Sequence, residues 1–204
     1  MQFDGTIRPE PAVPGTVCAA CRAHPPDFDL ARSLFIYEDP LREAIHGLKF
    51  RGRRAAAGPL GSLLADLAPP EVTAGAGAVV PVPLHPGRMA TRGFNQAELL
   101  ARPLAARLGV LCLPRALCRL HQESPQVELD ADARRRNVAH AFAPGHPAVA
   151  GTVLLVDDVF STGSTAGACA RVLRGLGASR VVVLTLARAV LRRADSCRPL
   201  VRGP

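Results

Sequence analysis

Val153-Leu154-Leu155-Val156-Asp157-Asp158-Val159-Phe160-Ser161-Thr162-Gly163-Ser164-Thr165 holds most of the chemistry legible in this chain. Apolar residues run into two adjacent carboxylates, and a stretch of small hydroxyl residues and glycine then opens a helical pattern. That order suits a buried strand delivering its acidic end to a sheet edge. The following turn gathers N–H groups and hydroxyls at a helix N-terminus, where an anion binds well. Carboxylates beside an anion site fit a ligand that carries a phosphate together with hydroxyls or a metal, and a sugar phosphate answers that description. Ser161, Thr162, Gly163, Ser164 and Thr165 would wrap a terminal phosphate. Asp157 and Asp158 would accept hydrogen bonds from ribose hydroxyls or help hold a ligand-bound Mg²⁺. A solvated acidic strand end on an ordinary capped helix explains the hydroxyls but not the adjoining acidic pair. A P-loop, Gly-x-x-x-x-Gly-Lys-Ser/Thr, is absent from the sequence, and no Gly-x-Gly-x-x-Gly follows a strand.

The elements that must position these residues alternate along the chain. Residues 33–37 read as a short strand, and Asp39-Pro40 as a helix start. Leu41, Ala44, Ile45 and Leu48 give that helix one apolar face. A second helix is expected over residues 59–67, and a buried strand over 78–83 is followed by a loop at 84–93. Residues 95–108 have helical periodicity, interrupted by Pro103, where a kink or restart is expected because an interior proline costs about 3 kcal/mol. Residues 122–140 are polar and aperiodic, the pattern of a long connection that serves as a lid. Residues 152–156 form the central strand, a helix face through Ala166, Cys169, Ala170 and Leu173 ends near Gly177, and residues 180–186 form a further strand. Strands apolar on both faces and alternating with helices predict an α/β fold with a mainly parallel sheet.

At 204 residues the chain suits one domain of ordinary size with a substantial core. With 48% hydrophobic and 4% aromatic residues, that core is built from Ala, Leu and Val. The bias toward Ala, Gly, Pro and Arg reads as genome composition; Lys49 is the sole lysine. A net charge of +8 favours polyanions, whether nucleic acid or phosphorylated ligands. Lys49, Arg51, Arg53 and Arg54 cluster near a helix end, where they could meet nucleic acid. No apolar run has the length of a membrane span, and Met1-Gln2-Phe3-Asp4 lacks a signal-peptide layout, so a cytoplasmic protein without membrane insertion is expected. Reduced cysteines fit that compartment. Cys112, Cys118 and Cys169 read as small buried side chains, Cys197 lies in a tail, and Cys18-x-x-Cys21 has metal-ligand spacing.

Residues 153–165 resemble the signature of type I phosphoribosyltransferases, which bind phosphoribosyl pyrophosphate (PRPP). Other segments resemble the ComF (competence protein F) branch of that superfamily. They are Arg32-Ser33-Leu34-Phe35-Ile36-Tyr37, residues 41–49, Arg92-Gly93-Phe94-Asn95-Gln96, and Arg136-Asn137-Val138 ahead of Ala141-Phe142. Together they span residues 18–188. The resemblance implies a type I phosphoribosyltransferase fold over 33–188, with a mainly parallel twisted sheet flanked by helices, and a C-terminal tail over 189–204. Residues 1–32 would be an N-terminal segment in which Cys18 and Cys21 are one half of a zinc ribbon. Related proteins carry two such pairs and structural zinc takes four ligands. With one pair here, and His24 as the nearest further donor, either the ribbon has degenerated or the true start lies upstream of Met1.

The same resemblance assigns roles. Asp157 and Asp158 would take the ribose hydroxyls of PRPP, with Mg²⁺ held through the ligand, and the turn from Ser161 to Thr165 would take the 5-phosphate. Arg88 or Arg92, on the loop that begins Val82-Pro83-Leu84-His85, would neutralise pyrophosphate, with His85 either a ligand or a plain loop residue. Residues 122–140 would be a flap that contacts the ligand through Arg136 and Asn137, although Arg134-Arg135-Arg136 reads equally as a solvated charge run. The implied reaction displaces pyrophosphate at the anomeric carbon by a nitrogen of an unidentified base or amine, with Asp157, Asp158 and Arg136 as catalytic residues. The family is linked to DNA uptake in natural transformation. The alternative is a non-catalytic competence factor that binds single-stranded DNA or a competence helicase and uses the PRPP site for sensing or scaffolding.

Overall fold

Continuous apolar runs along the central strands, buried at every position from Val153 to Val156 and from Val181 to Leu184, set the architecture. A computed structural model describes residues 25–50, 52–120 and 141–189. Its elements are β1 (Leu30–Ile36), α1 (Leu41–Phe50), a 3₁₀ turn (Arg54–Ala56), α2 (Ala57–Leu67), α3 (Pro70–Thr73), β2 (Ala76–Pro81), α4 (Pro86–Arg92), α5 (Gln96–Leu108), β3 (Leu111–Cys112), β4 (Leu117–Arg119), β5 (Phe142–Pro144), β6 (Gly151–Phe160), α6 (Ser164–Gly175) and β7 (Ala178–Arg188). Five strands make one parallel sheet in the order β1-β7-β6-β2-β3. β4 and β5 pair separately as an antiparallel ribbon on either side of residues 121–140. Cys18, Cys21, His24, Arg51, Arg134, Arg135, Arg136, Asn137, Cys197 and the expected flap lie outside the described residues.

Both faces of the sheet are buried, as the apolar strands predict. Leu154 and Val156 of β6, with Val182, Leu184 and Leu186 of β7, pack against Leu41, Ile45, Leu48, Leu60, Leu64, Leu100 and Leu104 from α1, α2 and α5. The alternate residues Val153, Leu155, Val181 and Val183 pack against Cys169, Ala170 and Leu173 of α6 and Phe142 of β5. The result is a three-layer α/β/α arrangement with β6 in the middle of the sheet. Because all five strands are parallel, their carboxyl ends share one edge, where open α/β sheets bind ligands. Among the described residues no helix is long and apolar enough to cross a membrane.

Three local outcomes differ from the sequence reading. β6 continues beyond Val156 to Phe160, so the acidic pair lies within the ladder, with Asp157 opposite Thr185 of β7. The stretch 84–93 contains α4, closed by Gly93 in the left-handed region (φ +77°). Finally, α5 runs through Pro103 without a break. Proline at that position leaves the carbonyl of Leu99 without its helical donor. Helix α2 crosses at this point through Gly61, where a Cβ would stand 2.8 Å from Pro103 Cγ and 3.2 Å from the Leu99 oxygen. The side-chain-free glycine lets the pyrrolidine ring fit between the helices, and tertiary packing thus retains a helix that local propensity would break.

A double-mutant cycle tests this contact. Gly61→Ala is expected to lower stability by about 1 kcal/mol, because overpacking against a rigid ring outweighs the helix-propensity gain of alanine. In a Pro103→Ala background the same change should be neutral or stabilising, as read by urea midpoints. Equal effects in the two backgrounds would refute the contact.

Candidate functional site

Side chains at successive strand positions point to opposite faces. Asp157 therefore follows Val153 and Leu155 toward α6, while Asp158 follows Leu154 and Val156 toward α1. Both still line one cleft at the carboxyl edge of the sheet, a space of about 490 Å³ bordered by Tyr37, Lys49, Arg88, Arg92, Arg119 and Ser161 among others. Asp158 is 3% exposed. Its Oδ1 is 2.8 Å from Lys49 Nζ, and its Oδ2 is buried with no hydrogen-bond partner among the described residues. Asp157 takes the backbone N–H of Asp158 on its Oδ1 at 2.9 Å. Burial, then the charge of Asp158, pushes the Asp157 carboxyl up to about 7, with Lys49 and Arg119 opposing.

The anion turn forms as its residue types require. Gly163 caps α6 in the left-handed region (φ +81°), and a Cβ there would also stand 2.9 Å from Phe160 Cζ. Both the backbone angle and the ring beneath demand glycine. Thr162 Oγ1 and Ser164 Oγ lie 2.9 Å apart, and Ser161 and Thr162 are exposed. Ser161, Gly163 and Thr165 line a smaller hollow of about 40 Å³ that reaches Asp157.

Opposite the acidic strand end stands a wall of cations. Asn95 builds it by donating from Nδ2 to the Val82 carbonyl at 2.9 Å and accepting from Ala97 N–H as the cap of α5. That pair of bonds ties the loop after β2 to the next helix. Arg92 donates to the buried Gln96 and lies over the Phe50 ring at 5.6 Å. Arg88 and Arg92 border the cleft and, with Lys49, Phe50 and His85, a second space of about 530 Å³ beside it. His85 Nδ1 accepts from Gly87 N–H at 3.1 Å, which makes it the cap of α4.

Sequence reasoning missed two cleft residues and misjudged two cysteines. Arg119, from the end of β4, stacks over Phe142 at 5.3 Å and borders the cleft. It sat in an aperiodic stretch that showed no motif. Lys49 pairs with Asp158, whereas its expected companions Arg53 and Arg54 are exposed, Arg54 lying over the Phe94 ring at 5.6 Å. The α1 periodicity was the available signal, since it put Leu48 inward and Lys49 next to it. Cys169 is buried as expected, but Cys118 is exposed and Cys112 half-buried, because β3 and β4 are short edge elements with one face to solvent.

Among the described residues no group of three or more His, Cys, Asp or Glu side chains could hold a metal. Asp157 and Asp158 are the carboxylates beside which a ligand-borne Mg²⁺ would sit, its remaining oxygen ligands coming from water and phosphate.

The raised Asp157 carboxyl has a consequence for stability. Its folded value, about 7 against an ordinary 3.8, means that the folded chain keeps a proton the unfolded chain has released. Stability therefore falls as pH rises between those values. In EDTA, Asp157→Asn is expected to raise Tm by several degrees at about pH 8 and by almost nothing at about pH 4. A pH-independent difference would contradict the burial of this carboxyl.

No family model matches the chain. It is similar to the DNA utilization protein YhgH of Salmonella typhimurium strain LT2, at 35% identity over 185 residues, covering 87% of this chain and 80% of that protein. It is also similar to Competence protein F of Haemophilus influenzae, at 32% identity over 179 residues, covering 84% of this chain and 78% of that protein. Among solved structures, orotate phosphoribosyltransferase from Aeropyrum pernix overlaps with a TM-score of 0.36 at 22% identity, covering 68% of this chain and 62% of that one. At these identities and coverages the two sequence relatives decide the matter: the chain belongs to the competence protein F family.

Proposed function

We propose that this protein binds PRPP with Mg²⁺ and transfers its phosphoribosyl group to a nitrogen acceptor, in the service of DNA uptake. The observation that carries the reading is one cleft lined by Asp157, by Asp158 with its buried Oδ2 unpartnered among the described residues, by Ser161 and Thr165 of the turn, and by three arginines. Similarity to a DNA utilization protein and to a competence protein supports the biological setting.

In this reading the turn at the N-terminus of α6 seats the 5-phosphate through backbone N–H groups and hydroxyls. Asp157 and Asp158 accept from the ribose 2- and 3-hydroxyls, which fixes the anomeric carbon between the strand end and the arginine wall. The nitrogen lone pair forms the new bond at that carbon as the bond to the pyrophosphate oxygen breaks, and the nitrogen then sheds its proton. Arg88, Arg92 and Arg119 stabilise the negative charge that grows on the departing pyrophosphate. Mg²⁺, when bound, would be held through the ligand's own oxygens near Asp157 and Asp158 and would neutralise part of that charge. Arg136 and Asn137 are proposed to complete the site from the flap.

PRPP with Mg²⁺ at about a hundred times its Kd should stabilise the protein by about 2.7 kcal/mol, a rise in Tm of several degrees. Absence of any stabilisation at saturation would overturn the reading. Arg119→Met keeps a chain over Phe142 and removes the charge; it is expected to weaken PRPP binding about tenfold or more while leaving Tm without ligand nearly unchanged. Pyrophosphate release from PRPP with a panel of purines, pyrimidines and amines separates a transferase from a competence factor that only senses PRPP.

A further inference from the structure

Lys49 is the single lysine among 25 basic residues, and the fold places it in the cleft. Its Nζ lies 2.8 Å from Asp158 Oδ1, with the lysine side chain 21% and the aspartate side chain 4% exposed. Lys49 also borders the adjoining space with Arg88 and Arg92. An ammonium offers three rotatable donors on a compact charge, whereas a guanidinium is a wide planar fork. A compact point charge can sit between a buried carboxylate and a second anion, in a cleft that Phe50 and Arg92 also line. Counted by charge, Lys49, Arg88, Arg92 and Arg119 face two carboxylates, Asp157 and Asp158. The cleft is cationic as it stands.

We propose that Lys49 is a built-in counter-cation, whose ammonium stays on Asp158 and bridges it to a phosphate oxygen of the incoming ligand. A pyrophosphate group then seats without a divalent ion on Asp158. This rests on the reading of the cleft as a site for a phosphorylated ligand, and it adds that metal is dispensable for binding. It makes Lys49 a ligand-positioning residue contributed by α1, an element outside both the acidic strand and the anion turn.

The sole lysine permits a direct test on the full-length, unmodified protein. Inorganic pyrophosphate in EDTA should slow acetylation of Lys49, followed by peptide mapping to set aside the N-terminal amine, by about fivefold or more. Titration calorimetry in EDTA should show pyrophosphate binding that Lys49→Gln weakens about tenfold or more and Lys49→Arg restores only in part. The proposal is overturned if pyrophosphate fails to bind in EDTA, if it binds and leaves Lys49 reactivity unchanged, or if Lys49→Gln binds it as tightly as the parent. PRPP stabilisation that occurs only with Mg²⁺, with no metal-free pyrophosphate binding, would sink this inference and leave the PRPP reading standing. Metal-free pyrophosphate protection of Lys49 without any PRPP binding would do the reverse.

Discussion

The structure depends on the burial of β6 between two helical layers. A strand covered on both faces must be apolar at every position, and Val153 to Val156 meet that condition with no exposed side chain. The next two residues are carboxylates, set where the strand reaches the sheet edge. Their desolvation is what makes the site: Asp158 needs Lys49, and Asp157 is held near neutrality. Charges so placed cost stability unless another charged group meets them. Their retention at the carboxyl edge of a parallel sheet is therefore an argument about binding more than about folding.

The helices around this strand act as braces for the cleft. β1 is fastened to its neighbour by the buried Ser33–Thr185 hydroxyl pair at 2.8 Å. Its approach is fixed by Asp29, which accepts from Val181 N–H at 2.7 Å and pairs with Arg174 of α6. β1 then leads through Tyr37 to α1, whose buried Leu41, Ile45 and Leu48 set the rotation of the helix and thereby aim Lys49 at Asp158. On the other side, Asn95 holds the loop after β2 to α5, and Arg92 is braced by Gln96. Each cation at the cleft is thus positioned by an apolar helix face or by a polar bond behind it, the arrangement expected of a preorganised anion site.

Much of this was legible in the chain. The apolar runs named β2, β6 and β7, the i, i+3, i+4 spacing named α1, α5 and α6, and the turn after Asp158 announced itself by residue type. These signals are local: hydrophobic period and the conformational demands of glycine act over a few residues. The arginine wall was legible in part, through Arg88 and Arg92 on a loop after a strand. Arg119 was not, because nothing within its own short strand marks it. It reaches the cleft only because β4 pairs with β5 across residues 121–140 and lays the guanidinium over Phe142.

The sequence by itself determined that a buried strand ends in two carboxylates beside an anion-binding turn, since burial, period and capping follow from residue types in order. The tertiary structure decided what those carboxylates face. Strand alternation sent Asp157 toward α6 and Asp158 toward α1, and the packing of α1 supplied Lys49, more than a hundred residues away along the chain, as the partner of Asp158. Lys49 alone reads as one more basic residue at a helix end. Its role comes from a long-range contact fixed by the shared core, and no local pattern encodes that contact.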